Sequence, residues 1–97
     1  MSELLLPEET DLVGRWVQHG AKLEADATCQ RIHELVSHHL ERLGTASGGW
    51  ETLYRDPRDG RLWEHTYPMS EMHGGGPPRL VSIGPGAARQ KYGPRAV

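Results

Sequence analysis

Between Ala27 and Leu43 the positions Cys29, Ile32, Leu35, Val36, His39, Leu40 and Leu43 recur every three or four residues. That interval draws one stripe along an α-helix, so the spacing predicts an amphipathic helix from about Ala27 to Leu43. Asp26 can accept N–H bonds from its first turn, and Gly44 can end it in a left-handed conformation. Arg31, Glu34, His38, Glu41 and Arg42 fall on the other side and read as a solvated face. Upstream, Leu12, Gly14 and Trp16 alternate with Val13, Arg15 and Val17. This is a short strand pattern in which Gly14 marks a bulge or a close approach of backbone. Residues 1–10 read as an irregular leader.

The pattern changes after the helix, since ten of the twelve Gly and six of the seven Pro lie from Gly44 onward. Short strands and turns are expected there. Gly48-Gly49 releases the chain into a strand, and Asp56-Pro57-Arg58-Asp59-Gly60 has the chemistry of a tight turn, with Pro57 presetting φ and Gly60 accepting a positive one. With the loop at Pro57 to Gly60, Asp56 faces Arg61, Tyr54 faces Trp63, Thr52 faces His65 and Trp50 faces Tyr67. Four aromatics then share one side. The opposite side shows Glu51, Leu53, Arg55, Leu62, Glu64 and Thr66, mixed enough to be partly wet. Pro68 ends the second strand, and Met69 to Pro78 is too rich in Gly and Pro to be regular. Arg79 to Ile83 reads as a last strand, Gly84-Pro85-Gly86 as a break, Ala87 to Tyr92 as a helical turn or two, and residues 93–97 as a frayed tail. The expected class is α+β, one domain over residues 1–97, in the order β-α-β-β-β-short α. The helix packs on the aromatic face of an antiparallel sheet of about four strands.

A chain of 97 residues supports one modest core and leaves no room for a large cofactor fold. Its formal charge of -2 supplies no uniform basic field, which disfavours binding driven by neutralisation of nucleic-acid phosphates. Charge is nonetheless uneven. Residues 1–26 carry six acids against two bases, whereas Arg79 to Val97 carry four bases and no acid. Cys29 is the single cysteine, which excludes an internal disulfide, fits a reducing compartment and reads as a small buried residue. The apolar run Leu4 to Leu6 is far shorter than a signal-peptide core or a membrane span. A soluble cytoplasmic protein is expected, with no membrane partner.

Candidate chemistry is sparse. His33, His38 and His39 are spaced five and one apart, so they do not form a helical ligand pair, and neither a metal nor another cofactor is expected. His73-Gly74-Gly75-Gly76 has the look of a backbone oxyanion hole, but no Gly-x-Ser-x-Gly elbow accompanies it. Asp56 and Asp59 each have a local task in their turn, and nothing promises the pocket that an acid and base pair needs. The three Trp read as core anchors, with at least one partly exposed at an interface. The glycine loop permits close approach by a partner. Two rival functions stay in view: a small hydrolase using His65 or His73, and a nucleic-acid adaptor using the basic end from Arg79 to Arg95.

The segments Leu12-Val13-Gly14-Arg15-Trp16-Val17, Cys29-Gln30-Arg31-Ile32 through Leu43-Gly44, Gly49-Trp50-Glu51 and Ser70-Glu71-Met72-His73-Gly74-Gly75-Gly76-Pro77-Pro78 carry a family likeness. Over roughly Thr10 to Ile83 the chain resembles the immunity protein 27 family. The resemblance implies an antidote of bacterial polymorphic toxin systems, of the kind used in contact-dependent competition. Such an antidote binds the toxin domain of a partner effector as a stoichiometric inhibitor and is not an enzyme. It brings no catalytic motif, no small-molecule ligand and no toxin chemistry, although a nuclease is the commoner target. Toxins that attack nucleic acid are often basic at their cleft, so acidic groups on the antidote would speed and orient association. On that ground Glu51, Asp59, Glu64 and Glu71, with His73 and the backbone of Gly74, Gly75 and Gly76, are expected to form or border the toxin-facing surface.

Overall fold

The computed structural model describes residues 4–68 and 76–94. In chain order it holds β1 (Asp11–Val13), β2 (Trp16–His19), β3 (Lys22–Ala25), α1 (Ala27–Glu34), β4 (Glu41–Ala46), β5 (Glu51–Arg55), β6 (Leu62–Thr66), β7 (Arg79–Ile83) and α2 (Pro85–Tyr92). Five strands form one antiparallel sheet in the order β1-β7-β6-β5-β4, and β2 pairs with β3 apart from it. The class is α+β, with one more strand in the main sheet than expected and a separate hairpin beside it.

At the centre is the hairpin of β5 and β6. Thr52 pairs with His65 and Tyr54 with Trp63, the register that the turn chemistry predicts. Asp56 closes the turn: its carboxylate accepts from the Arg58 N–H (3.0 Å), its carbonyl accepts from the Gly60 N–H (2.8 Å), and its N–H donates to the Arg61 carbonyl (2.9 Å). Gly60 takes the positive φ, 79°.

The long helix is shorter than its spacing suggests. Asp26 caps α1 as expected, accepting from the Cys29 N–H at 2.9 Å. After Glu34 a single π turn, Leu35–His39, is closed by the Leu40 N–H on the Leu35 carbonyl (2.9 Å), and Leu40 is already extended. Leu43 and Gly44, predicted as last turn and cap, lie in β4. His39, predicted on the apolar stripe, is exposed. The free edge of β5 supplies backbone partners to Glu41–Ala46, and a bulge between Arg42 and Gly44 admits Leu43 as an extra residue packed on the sheet. Leu40 and Leu43 satisfy helical spacing equally well, so periodicity alone could not locate the change.

Gly14 divides the strand expected over Leu12 to Val17. A Cβ there would stand 2.6 Å from the Cys29 sulfur and 2.6 Å from the Pro78 carbonyl oxygen, so this is a close backbone approach. Beyond it the chain leaves the sheet and turns back at Gly20, φ 62°, to make the β2–β3 hairpin.

Two cores flank the sheet. On the front, Ile32 and Leu35 of α1 cover Tyr54, Trp63, Leu80 and Leu12, joined by Leu5 from the leader. On the back, α2 brings Ala88 and Tyr92 onto Leu53, Leu62, Leu43 and Ile83. This second core covers part of the face expected to be partly wet: Leu53 is buried, whereas Arg55 is exposed and Glu51 and Thr66 are half-buried. Pro85 begins α2 in the first helical position, where its missing N–H is no loss, so the predicted break is a helix start. Residues 4–10 of the leader have no regular structure but are anchored. Leu5 is 2% exposed, and Arg31, Arg58 and Arg61 donate to the carbonyls of Leu4, Leu5, Leu6 and Glu9. Among the described residues no helix is long and apolar enough to cross a membrane.

Candidate functional site

Side chains alternate between the faces of a strand, so each residue of the β5–β6 hairpin belongs to the front or the back. Both faces are only half covered, because α1 lies toward β1 and β7 in front while α2 lies toward β4 and β5 behind. Each helix therefore leaves an open region.

In front, α1 buries Tyr54 and Trp63 and stops. Arg42, Thr45, Thr52, Tyr54, His65 and Tyr67, with Gly48 and Gly49, line a shallow depression of about 590 Å³. Trp50 stands edge-on to Tyr67, ring centroids 5.7 Å apart at 83°, and is 52% exposed. His65 lies 5.0 Å from Tyr67 and 6.3 Å from Tyr54 between ring centroids. Its Nε2, like the Trp63 indole nitrogen, is buried without a hydrogen-bond partner among the described residues. Burial, then the nearby His33, push the His65 pKa below its ordinary value.

Behind, a cleft of about 460 Å³ is lined by Trp50, Glu51, Glu64, Thr66, Tyr67, Pro68, Arg79 and Val81. Its charges answer one another. Lys91 reaches both Glu51 and Glu64. Partial burial opposes the Lys91 charge, but the two carboxylates outweigh it and raise its pKa. The Tyr92 hydroxyl donates to Glu64 at 2.7 Å; burial first, and then this carboxylate, hold the phenol above its usual range. Arg79 grips Asp11 through two 2.8 Å bonds, which hold the Asp11 carboxyl below its ordinary pKa against a smaller effect of burial.

Among the expected site residues, the structure brings Glu51 and Glu64 together but not as free acids. Glu64 is 8% exposed, bonded to Lys91 and Tyr92 of α2 at the floor of the back cleft. Asp59 sits in the turn at the far end of the hairpin, where it accepts from the Arg61 backbone (3.0 Å) and guanidinium (2.9 Å). Gly76 is buried with φ 76°. Glu71, His73, Gly74 and Gly75 lie outside the described residues.

Arg42, which lines the front depression, was not singled out from the sequence because helical spacing placed it on a solvated helix face. Its signal was legible only once Leu40 to Ala46 were read as a strand opposite Tyr54. For the rival chemistries, His65 has no carboxylate beside it in the depression, and Cys29 is buried, donating to the Arg15 carbonyl at 3.4 Å, with burial raising its pKa. No group of three or more His, Cys, Asp or Glu that could hold a metal occurs among the described residues. At the basic end, Arg79 and Lys91 are already engaged by acids.

No curated protein and no solved structure matches the chain significantly. A family model described as Immunity protein 27 matches residues 18–84, a span that takes in α1, the central hairpin and β7. The match covers well over half of the chain and takes in the resembling segments from Cys29 to Pro78, though not Leu12 to Val17, so this protein belongs to the Immunity protein 27 family.

Proposed function

We propose that the chain is a stoichiometric antidote in a polymorphic toxin system, acting in the cytoplasm of the producing cell, where it binds the toxin domain of a cognate effector and occludes its active site. The family supports a toxin partner. The observation that carries the choice of surface is Trp50, a large indole half in solvent at the rim of an open sheet face, braced by Tyr67. Trp and Tyr in that setting are the usual anchors of protein interfaces, because they offer wide contact area with few rotatable bonds. The centre of the surface thus moves from the acids to the aromatic rim, with Glu51 at its border.

The test uses the toxin domain encoded next to this gene. The full chain should bind it in calorimetry and restore growth to cells expressing it. Trp50→Ala should weaken binding by at least about 2 kcal/mol while the thermal midpoint stays within a few degrees of the parent, since the ring contributes little to the core. Failure of the parent chain to bind any neighbouring toxin domain would end this reading.

A further inference from the structure

Of the three arginines on the strands of the main sheet, Arg55 holds Glu41 and Arg79 holds Asp11, whereas Arg42 forms no ion pair among the described residues. Arg42 stands across the strand pair from Tyr54 and lines the front depression. No carboxylate lines that depression with it; the remaining polar groups are the hydroxyls of Thr45, Thr52, Tyr54 and Tyr67 and the imidazole of His65. The His65 Nε2 is buried there without a partner. The rim at Gly48 and Gly49 lacks side chains, with φ of 67° and 97°, and even an added Cβ would meet nothing within 4 Å. Another backbone can approach closely at that edge.

We propose that this depression receives a single acidic side chain of the bound toxin, an Asp or Glu whose carboxylate pairs with Arg42; this rests on the function proposed above. Charge complementarity selects the occupant, since the lining offers a cation and hydrogen-bond donors and no acid of its own. A protein carboxylate fits better than a nucleic-acid strand. Phosphodiester tracking needs a run of cations, and Arg42 is the single arginine or lysine in the lining, on a chain of net charge -2.

The experiment is calorimetry of the full chain with the neighbouring toxin domain at low and at high salt. Arg42→Ala should weaken binding roughly tenfold or more at low salt and flatten the salt dependence. Arg42→Glu should weaken it further, and an Asp or Glu→Arg substitution in the toxin should restore binding to the Glu variant alone. The proposal is overturned if both Arg42 variants bind like the parent while Trp50→Ala does not, which would leave the aromatic surface standing without its anion. It is also overturned if the chain binds an RNA or DNA oligonucleotide at physiological salt in an Arg42-dependent way. A parent chain that binds no toxin domain removes the proposed function, and this pairing with it.

Discussion

The two open regions of the sheet are built from the same hairpin and differ by one residue of strand parity. Behind, Glu51 and Glu64 converge on Lys91 and Tyr92, and Arg79 converges on Asp11. In front, Arg42 and the Nε2 of His65 find no such answer. A charge engaged within the fold is already stabilised, so a partner gains little by approaching it and must first displace what holds it. A charge without an ion-pair partner in an open depression lacks that competition. The difference teaches that acidic character in a segment does not by itself mark a docking surface; what matters is whether the fold has used the acids.

The strongest way to break the contrast is to remove the core that holds both regions in place. Trp63 is 0% exposed beneath α1, and Trp63→Ala should lower stability by about 3–5 kcal/mol. In a domain this small much of the circular dichroism signal should vanish near room temperature. A cooperative unfolding transition at the parent midpoint would show that the front core is not what organises the sheet.

Next come the acids. Glu64→Gln removes one charge from the Lys91 pair and weakens the bond from Tyr92. It should destabilise by about 1–3 kcal/mol in chemical denaturation, as expected for a buried network missing a charged member. If instead Glu64→Gln left stability untouched and weakened toxin binding, the back cleft would be the working surface.

Glu9 sharpens the same point at the leader. The Arg31 guanidinium bonds its carboxylate and, against a smaller opposing effect of burial, holds its pKa at about 2 in place of the ordinary 4.5. A depressed carboxylate contributes stability above pH 4.5 that is lost as the pH falls toward 2. Discounted for partial exposure, the contribution is about 1–2 kcal/mol. Glu9→Gln should therefore lower the thermal midpoint at pH 7 and match the parent near pH 2. A gap that stays constant across that range would assign the loss to packing. Smallest of all, Arg42→Ala should alter stability by no more than about 0.5 kcal/mol, because Arg42 is exposed and forms no ion pair among the described residues.

Much of the architecture was legible in the chain. The Asp56 to Gly60 turn chose the hairpin register, and that register put Tyr54, Trp63 and His65 on one face, whereas Trp50 lies before β5 and lines the back cleft. Asp26 marked the helix start, and Gly14 announced a close approach whose partners, Cys29 and Pro78, are distant in sequence. The helix end was not legible, because Leu40 and Leu43 suit a helix stripe and a bulged strand alike. The choice fell to the unpaired edge of β5. The second hairpin was hidden because β3 is exposed along its whole length and so shows no apolar alternation. The site was the least legible part, since Arg42 read as helix surface for as long as the helix was thought to reach it.

Local chemistry along the sequence settled turns, caps, strand parity and the family, because those depend on residues a few positions apart. Where the helix stops, which face of the sheet each helix covers, and which charges are left without a partner were decided by tertiary packing. Those outcomes depend on surfaces meeting across the whole molecule, where a free strand edge outcompeted a further turn of helix and Lys91 reached acids 27 and 40 positions away.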